Sequence, residues 1–360
     1  MKRQRLAVHD HIETSHDDAG EAKKASDEDL WFLPGPVEEE PDHLPPGPRP
    51  EPSETEVLTE WAQAEAGCAA RLARVAGRLG ALDDRLRRGV EGWRHRLALI
   101  EAADLSWFAG DRIGDDRLAL WMSMRLSGVQ HDTGALARAG WAVRRLTSGP
   151  GPEAGLVAFL DRRDPEAIAD DTERFADRAN GWLDLMTAAH HLHPITRACM
   201  GFRLWSLAGL GQTGDRMEAA VTAGRIAASE GHGAIFAPLA MGGAGGLRAV
   251  GRPAERLARW LDGMDRAALT AMRHLDDIEA WSARAETVMA ELSGRTPPAL
   301  RAVLTEWPLL SAPMAEALTS ASRAAVQRNL DWMQKRGLIR EVTGQGRFRM
   351  WRVATVALSA

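Results

Sequence analysis

From Leu58 onward apolar side chains recur in steps of three, four or seven, with Leu58, Trp61, Cys68, Leu72, Val75, Leu79, Leu82 and Leu86 on one helical face. The spacing predicts one long amphipathic helix. It also suits a coiled-coil dimer seam, although alanine-rich flanks and the sequence that follows favour packing within the chain. Further helical periods are predicted over 92–108, 115–127, 133–147, 153–161, 164–189, 194–209, 215–229, 252–263, 265–293 and 298–306. Gly and Pro punctuate them at 148–155, 209–215 and 237–246. No stretch alternates as a strand would before Leu338. The fold class expected is therefore mainly α: a helical bundle without internal repeats.

The last 65 residues follow a different plan. A helix over about Pro298–Trp307 is stopped by Pro308, and Ser311 is placed to cap a second, running to Thr319 with Pro313 in its first turn. Ser322 caps a third, which Gly337 ends near Arg336. Within it Val326, Leu330 and Met333 share the inner face, leaving Arg323, Ala324, Gln327, Arg328 and Asp331 outside. Leu338–Val342 and Phe348–Val353 flank Thr343-Gly344-Gln345-Gly346, the pattern of a β-hairpin. Three helices and a hairpin in this order predict a winged helix-turn-helix.

Charge sharpens that picture. The chain carries a net charge of -5, yet residues 296–360 hold nine Lys or Arg against four Asp or Glu. An arginine fork can take guanine O6 and N7, glutamine can pair with adenine, and alanine lets a helix approach the groove. Arg340, Arg347, Arg349 and Arg352 on the hairpin suit phosphate contacts, which position a protein without reading sequence. The candidate DNA-contacting set is thus Ser322, Arg323, Ala324, Gln327, Arg328, Arg340, Gln345, Arg347 and Arg349, with double-stranded DNA as partner. Asp331 and Glu341 dilute the positive face, so docking on the protein's own body or on a second copy stands as the alternative.

At the other end, residues 1–55 carry 14 acidic and 6 basic side chains among clustered prolines, and are expected to form a disordered acidic arm. Its apolar island Leu30-Trp31-Phe32-Leu33 is a candidate anchor onto the body. The expected domains are then this arm, a helical domain over 56–295, and the winged module over 296–355. The N-terminal residues lack the apolar run of a secretory signal, and the longest uncharged stretch near mid-chain, Gly233–Leu247, is short and glycine-rich, so a cytoplasmic protein with no membrane partner is expected. Cys68 and Cys199 make no disulfide framework or metal site, and Cys68, on an apolar helical stripe, is expected to be a buried thiol. Abundant arginine with lysine only at Lys2, Lys23, Lys24 and Lys335 suggests a GC-rich bacterial genome.

Three weaker signals favour no enzyme. Gly209-Leu210-Gly211-Gln212-Thr213-Gly214 matches a dinucleotide fingerprint, but follows a helix rather than a strand. The glycines over 242–246 lack the Lys-Ser/Thr of a phosphate loop and predict a flexible connector. His190, His191 and His193 lack the partners of a zinc site. No catalytic residue, metal or cofactor is assigned.

The stretches WRHRLALIEAADLSWFAGDRIGDDRLALWMSMRLSGVQ, HHLHPITRACMGFRLWSLAGLG and SRAAVQRNLDWMQKRGLIREVTGQGRFRMW resemble a family of uncharacterised, often plasmid-borne proteins of rhizobia and their relatives. That family joins a domain of unknown function to a C-terminal helix-turn-helix. The resemblance spans roughly 57–353 and implies DNA binding and transcription regulation. A fainter likeness runs to the Fic fold, in which Ser106-Trp107-Phe108-Ala109-Gly110 stands for the first motif, with Ala109 replacing its Glu. His193-Pro194-Ile195 aligns with the start of the catalytic loop, but Arg197 replaces its acidic residue, Cys199 its Asn, and no Gly-Asn-Gly nest follows. This second likeness implies a degenerate Fic-like bundle that has lost nucleotide transfer, an active nucleotidyl transferase being the minor alternative. The expectation is a DNA-binding regulator, with a homodimer supplying two half-site readers.

Overall fold

The longest apolar stripe among the described residues lies in the last third of the chain. Leu257, Trp260, Leu261, Met264, Ala267, Ala271, Leu275, Ile278, Trp281, Ala285 and Met289 are all buried, in steps of three or four, along a single 37-residue helix, α10 (Pro253–Met289), about 55 Å long. A computed structural model describes residues 53–123, 132–161, 169–211, 216–344 and 349–354 of the chain. Around α10 pack α1 (Glu54–Gly67), α2 (Ala69–Arg88), α3 (Gly92–Ala109), α8 (Pro194–Leu207) and α11 (Thr296–Glu306). Outside these lie α4 (Asp115–Met122), α5 (Thr133–Thr147), α6 (Leu156–Leu160) and α7 (Ala169–Ala188), whereas α9 (Arg216–Ala227), buried at all but its first and third residues, packs between α3, α5 and α8. The chain closes with β1 (Leu310–Ser311), α12 (Ala312–Thr319), α13 (Arg323–Lys335), β2 (Ile339–Glu341) and β3 (Met350–Val353). Among the described residues the fold is mainly helical, and no helix is long and apolar enough to cross a membrane.

Three expectations are corrected here. The first long helix is two, joined at Cys68, whose backbone (φ -105°, ψ 7°) leaves the helical range while its N–H still bonds to Ala64 and Glu65. Gly67 beside it lowers the local helix propensity, so the break costs little. The helices expected over 252–263 and 265–293 are one. Gly263 does not end a helix; it clears a path for the backbone of Gly246, whose Cα would lie 2.9 Å from a Cβ there. The glycine-rich connector is a packed wall rather than a flexible link. Ala237, Leu239, Ala240, Met241, Ala244 and Leu247 are buried in it, and the Glu101 carboxylate accepts the N–H groups of Leu239, Ala240 and Met241.

The first helix also starts inside the stretch assigned to the acidic arm. Ser53 caps α1 by accepting from Glu56 N, while the Glu56 carboxylate accepts from Ser53 N, a reciprocal capping box. The island Leu30-Trp31-Phe32-Leu33 lies outside the described residues.

Candidate nucleic-acid interface

The elements from α11 to β3 form around Leu300, Leu304, Leu310, Ala315, Val326, Leu330 and Met333, each fully buried. Ser311 accepts from Met314 N to start α12, and Ser322 accepts from Ala325 N to start α13, as their positions before apolar periods predicted. Gly337, at φ +68°, ends α13, with the Leu338 N–H returning to Met333 O and its own to Gln334 O. The left-handed turn needs a residue without a Cβ penalty. The β-structure departs from expectation in one respect. Besides the antiparallel β2–β3 pair, with Ile339 opposite Val353 and Arg340 opposite Arg352, Leu310 and Ser311 pair with Trp351 and Met350, giving a three-stranded sheet in the order β1-β3-β2. Two residues are too short for an alternation to register in sequence.

The candidate residues fall into three groups. Arg323, Ala324 and Arg328 lie exposed on α13, opposite its buried face, with Ser322 at its N-terminus. Arg323, Arg328 and the exposed Lys335 have no ion pair among the described residues. Gln327 is half-buried and donates to the Asp331 carboxylate at 3.0 Å. Arg349 folds back onto α13, donating to Gln334 Oε1 (2.8 Å) and Asp331 Oδ1 (3.3 Å), with its guanidinium 4.9 Å from the Trp351 ring centre. Gln345 and Arg347 lie outside the described residues.

Arg340 and Arg352 face something the sequence did not reveal. They stand directly opposite each other on neighbouring strands, an arrangement that repels like charges. Asp116 bridges them, accepting from Arg340 at 3.0 Å and from Arg352, while Asp115 accepts from Arg352 at 3.2 Å. Both carboxylates sit in the first turn of α4, where the helix dipole also favours them. Two of the arginines expected to meet phosphate are thus held by the helical body. Behind them Arg96, 7% exposed, donates to the carbonyls of Leu304, Thr305 and Trp307, closing the C-terminus of α11. Burial, with Arg352 nearby, lowers its pKa to about 9. On the same side of α3, burial and the charge of Asp115 raise Asp104 to about 6. The paired aspartates were visible as a helix start; their partners, more than two hundred residues away, were not.

The weaker signals resolve locally. Gly209 ends α8, with the Leu210 N–H returning to Trp205 O, so the glycine fingerprint begins as a helix terminus. Just before the glycines of 242–246, the backbone N–H groups of Leu239, Ala240 and Met241 are taken by the Glu101 carboxyl group. Ser106 Oγ bonds to Ala103 O, Ile113 O and Ile113 N, which closes the end of α3. His193 Nδ1 accepts from Ile195 N as the cap of α8, while its own N–H goes to Glu65. Arg197 pairs with Glu153 at 3.0 Å. Cys199 is buried, which pushes its thiol pKa up, and Cys68 is a free thiol at the α1–α2 joint. No group of three or more His, Cys, Asp or Glu among the described residues is arranged to hold a metal. No protein-family model matches the chain, and no curated protein sequence matches it.

Proposed function

We propose that the chain is a DNA-binding protein and a transcription regulator of a bacterial replicon, with residues from Thr296 to Ala354 acting as a winged helix-turn-helix. One observation carries the reading: Arg323, Ala324 and Arg328 project from a helix whose opposite face, Val326, Leu330 and Met333, is locked in the core. The order helix, short strand, helix, turn, helix, strand, strand supports it. In this reading α13 enters the major groove and the arginines read base edges, while the β2–β3 connection lies along the backbone. Two copies would engage two half-sites, with light scattering at DNA-binding concentrations reporting the dimer.

A second reading is favoured by the hold of Asp115 and Asp116 on Arg340 and Arg352: the module is a docking element joined to its own body, and the chain acts as a scaffold. Fluorescence anisotropy of the full-length protein on random duplex DNA across a salt series separates the two. The DNA reading expects salt-sensitive binding, weakened by about 1–3 kcal/mol in Arg323→Ala or Arg328→Ala where the side chain makes a bidentate base contact. Absence of binding at ~100 μM protein and low salt, where non-specific association is normally visible, supports the scaffold instead.

A further inference from the structure

Many arginines in this molecule meet carboxylates. Arg78 meets Asp265 at 2.6 Å, Arg85 meets Asp276 and Glu279, and Arg138 forks onto Asp111. One cavity gathers several arginines with no carboxylate among them. Between α3, α8, α9, the start of α10 and the segment 246–250 lies a pocket of about 580 Å³, within the range of small-molecule sites. Arg203, Arg216, Arg248 and Arg256 line it, and no Asp or Glu does among the described residues. Arg256 is committed to its own wall, donating to Gly251 O and to Ala249 O at 3.2 Å. Arg203, Arg216 and Arg248 have no ion-pair partner among the described residues.

Phe108, Phe202, Trp205 and Trp260 bring aromatic rings to the lining, the remainder being small or aliphatic residues, with Cys199 and Ser206. Phe108 lies under two guanidiniums, its ring centre 5.8 Å from Arg216 and 5.4 Å from Arg248. Phe202 lies 5.5 Å from Trp260 between ring centres, the two rings tilted by 42°. Trp205 and Trp260 are themselves almost wholly buried, so the rings that the cavity can offer a ligand are chiefly Phe108 and Phe202. Like charges gathered round a half-enclosed apolar cavity repel, and an oxyanion between them turns that repulsion into attraction while taking several guanidinium donors at once. Flat aromatic surfaces beside it suit a planar, apolar group.

We propose that this pocket binds a small organic anion in which a phosphate group is joined to a planar ring system, the phosphate held by Arg203, Arg216 and Arg248 and the ring lying against Phe108 and Phe202. None of its lining residues belongs to the C-terminal module, so the site stands whether or not the protein binds DNA. Aryl phosphates and purine nucleotides share this chemistry.

Calorimetric titration of the full-length protein with 1-naphthyl phosphate and with AMP tests it, each compared with 1-naphthol, adenosine and inorganic phosphate. The expected result is saturable one-to-one binding of at least one of the two phosphorylated compounds, with its separated halves bound far more weakly. Which one binds distinguishes the two sources. In Arg203→Gln and Arg248→Gln the affinity should fall about tenfold each, as when one charge-assisted hydrogen bond is lost, with circular dichroism unchanged. No saturation by either compound at ~5 mM, or affinity unaltered in the double variant, overturns the proposal.

Discussion

Ser320 closes α12 with φ +51°, a left-handed conformation that costs a residue with a Cβ about 1–2 kcal/mol. It is exposed and sits in the turn between α12 and α13, where helix-turn-helix units often carry glycine. Ser320→Gly should therefore stabilise the protein by about 0.5–1 kcal/mol, after the greater freedom of glycine in the unfolded chain is deducted, as urea unfolding would measure. No gain, or a loss, would mean that the turn is not strained. Glu101 is a second residue with a measurable signature. Burial pushes its pKa up to about 7, against three backbone N–H groups that pull it down. The folded protein then holds the proton more tightly than the unfolded chain, so this contribution to stability is complete below about pH 4.5 and is lost as pH rises through 7. Compared with Glu101→Gln, the wild type should lose up to about 3 kcal/mol between pH 4.5 and 8. A stability difference independent of pH would place the carboxylate's pKa at its ordinary value.

At the scale of elements, α10 organises the body, and at Gly263 the backbone of Gly246 passes close against it. Gly263→Ala gains about 1 kcal/mol in helix propensity but drives a methyl into the backbone of Gly246, and overpacking of this kind costs about 1–3 kcal/mol. Net destabilisation of about 1 kcal/mol is expected by chemical denaturation. A more stable variant would show that the 246–250 wall yields freely. Sequence periodicity located both halves of α10 but divided them, because glycine is the same letter whether it ends a helix or lets another backbone approach. Conversely, Ser311, Ser322 and Gly337 were legible as boundaries, since capping depends only on residues within one turn. The strand β1 was not, because it exists through its partner β3.

For the whole molecule, the buried core runs without interruption from Trp61 in α1 to Val353 in β3. Trp281 on α10 donates to Leu338 O at 2.7 Å, Arg284 to Ala354 O, and Arg96 on α3 closes α11, so the C-terminal elements are fixed to the helical body at several points. A rigidly displayed α13 suits recognition of a rigid duplex. The ion pairs to Asp115 and Asp116 set how much positive charge the module can offer. Asp115→Asn together with Asp116→Asn frees Arg340 and Arg352, and should tighten DNA binding at low salt and steepen the dependence of log affinity on log salt by about one to two units. An unchanged slope would mean that these arginines never meet phosphate, in keeping with the scaffold reading.

Local patterns along the chain were enough to establish the helical class of the body, most helix limits, the buried face of α13 and the concentration of basic residues near the C-terminus. These rest on period, capping and composition, which act over a few residues. Tertiary structure decided which charges are available. Arg340 and Arg352 read as free cations until α4 brings Asp115 and Asp116 to them, whereas nothing in the order of residues relates Arg203, Arg216 and Arg248 before the fold gathers them round one cavity. An arginine's local sequence does not record its partner, because Coulomb energy depends on distance in space and on burial, neither of which the order of residues states.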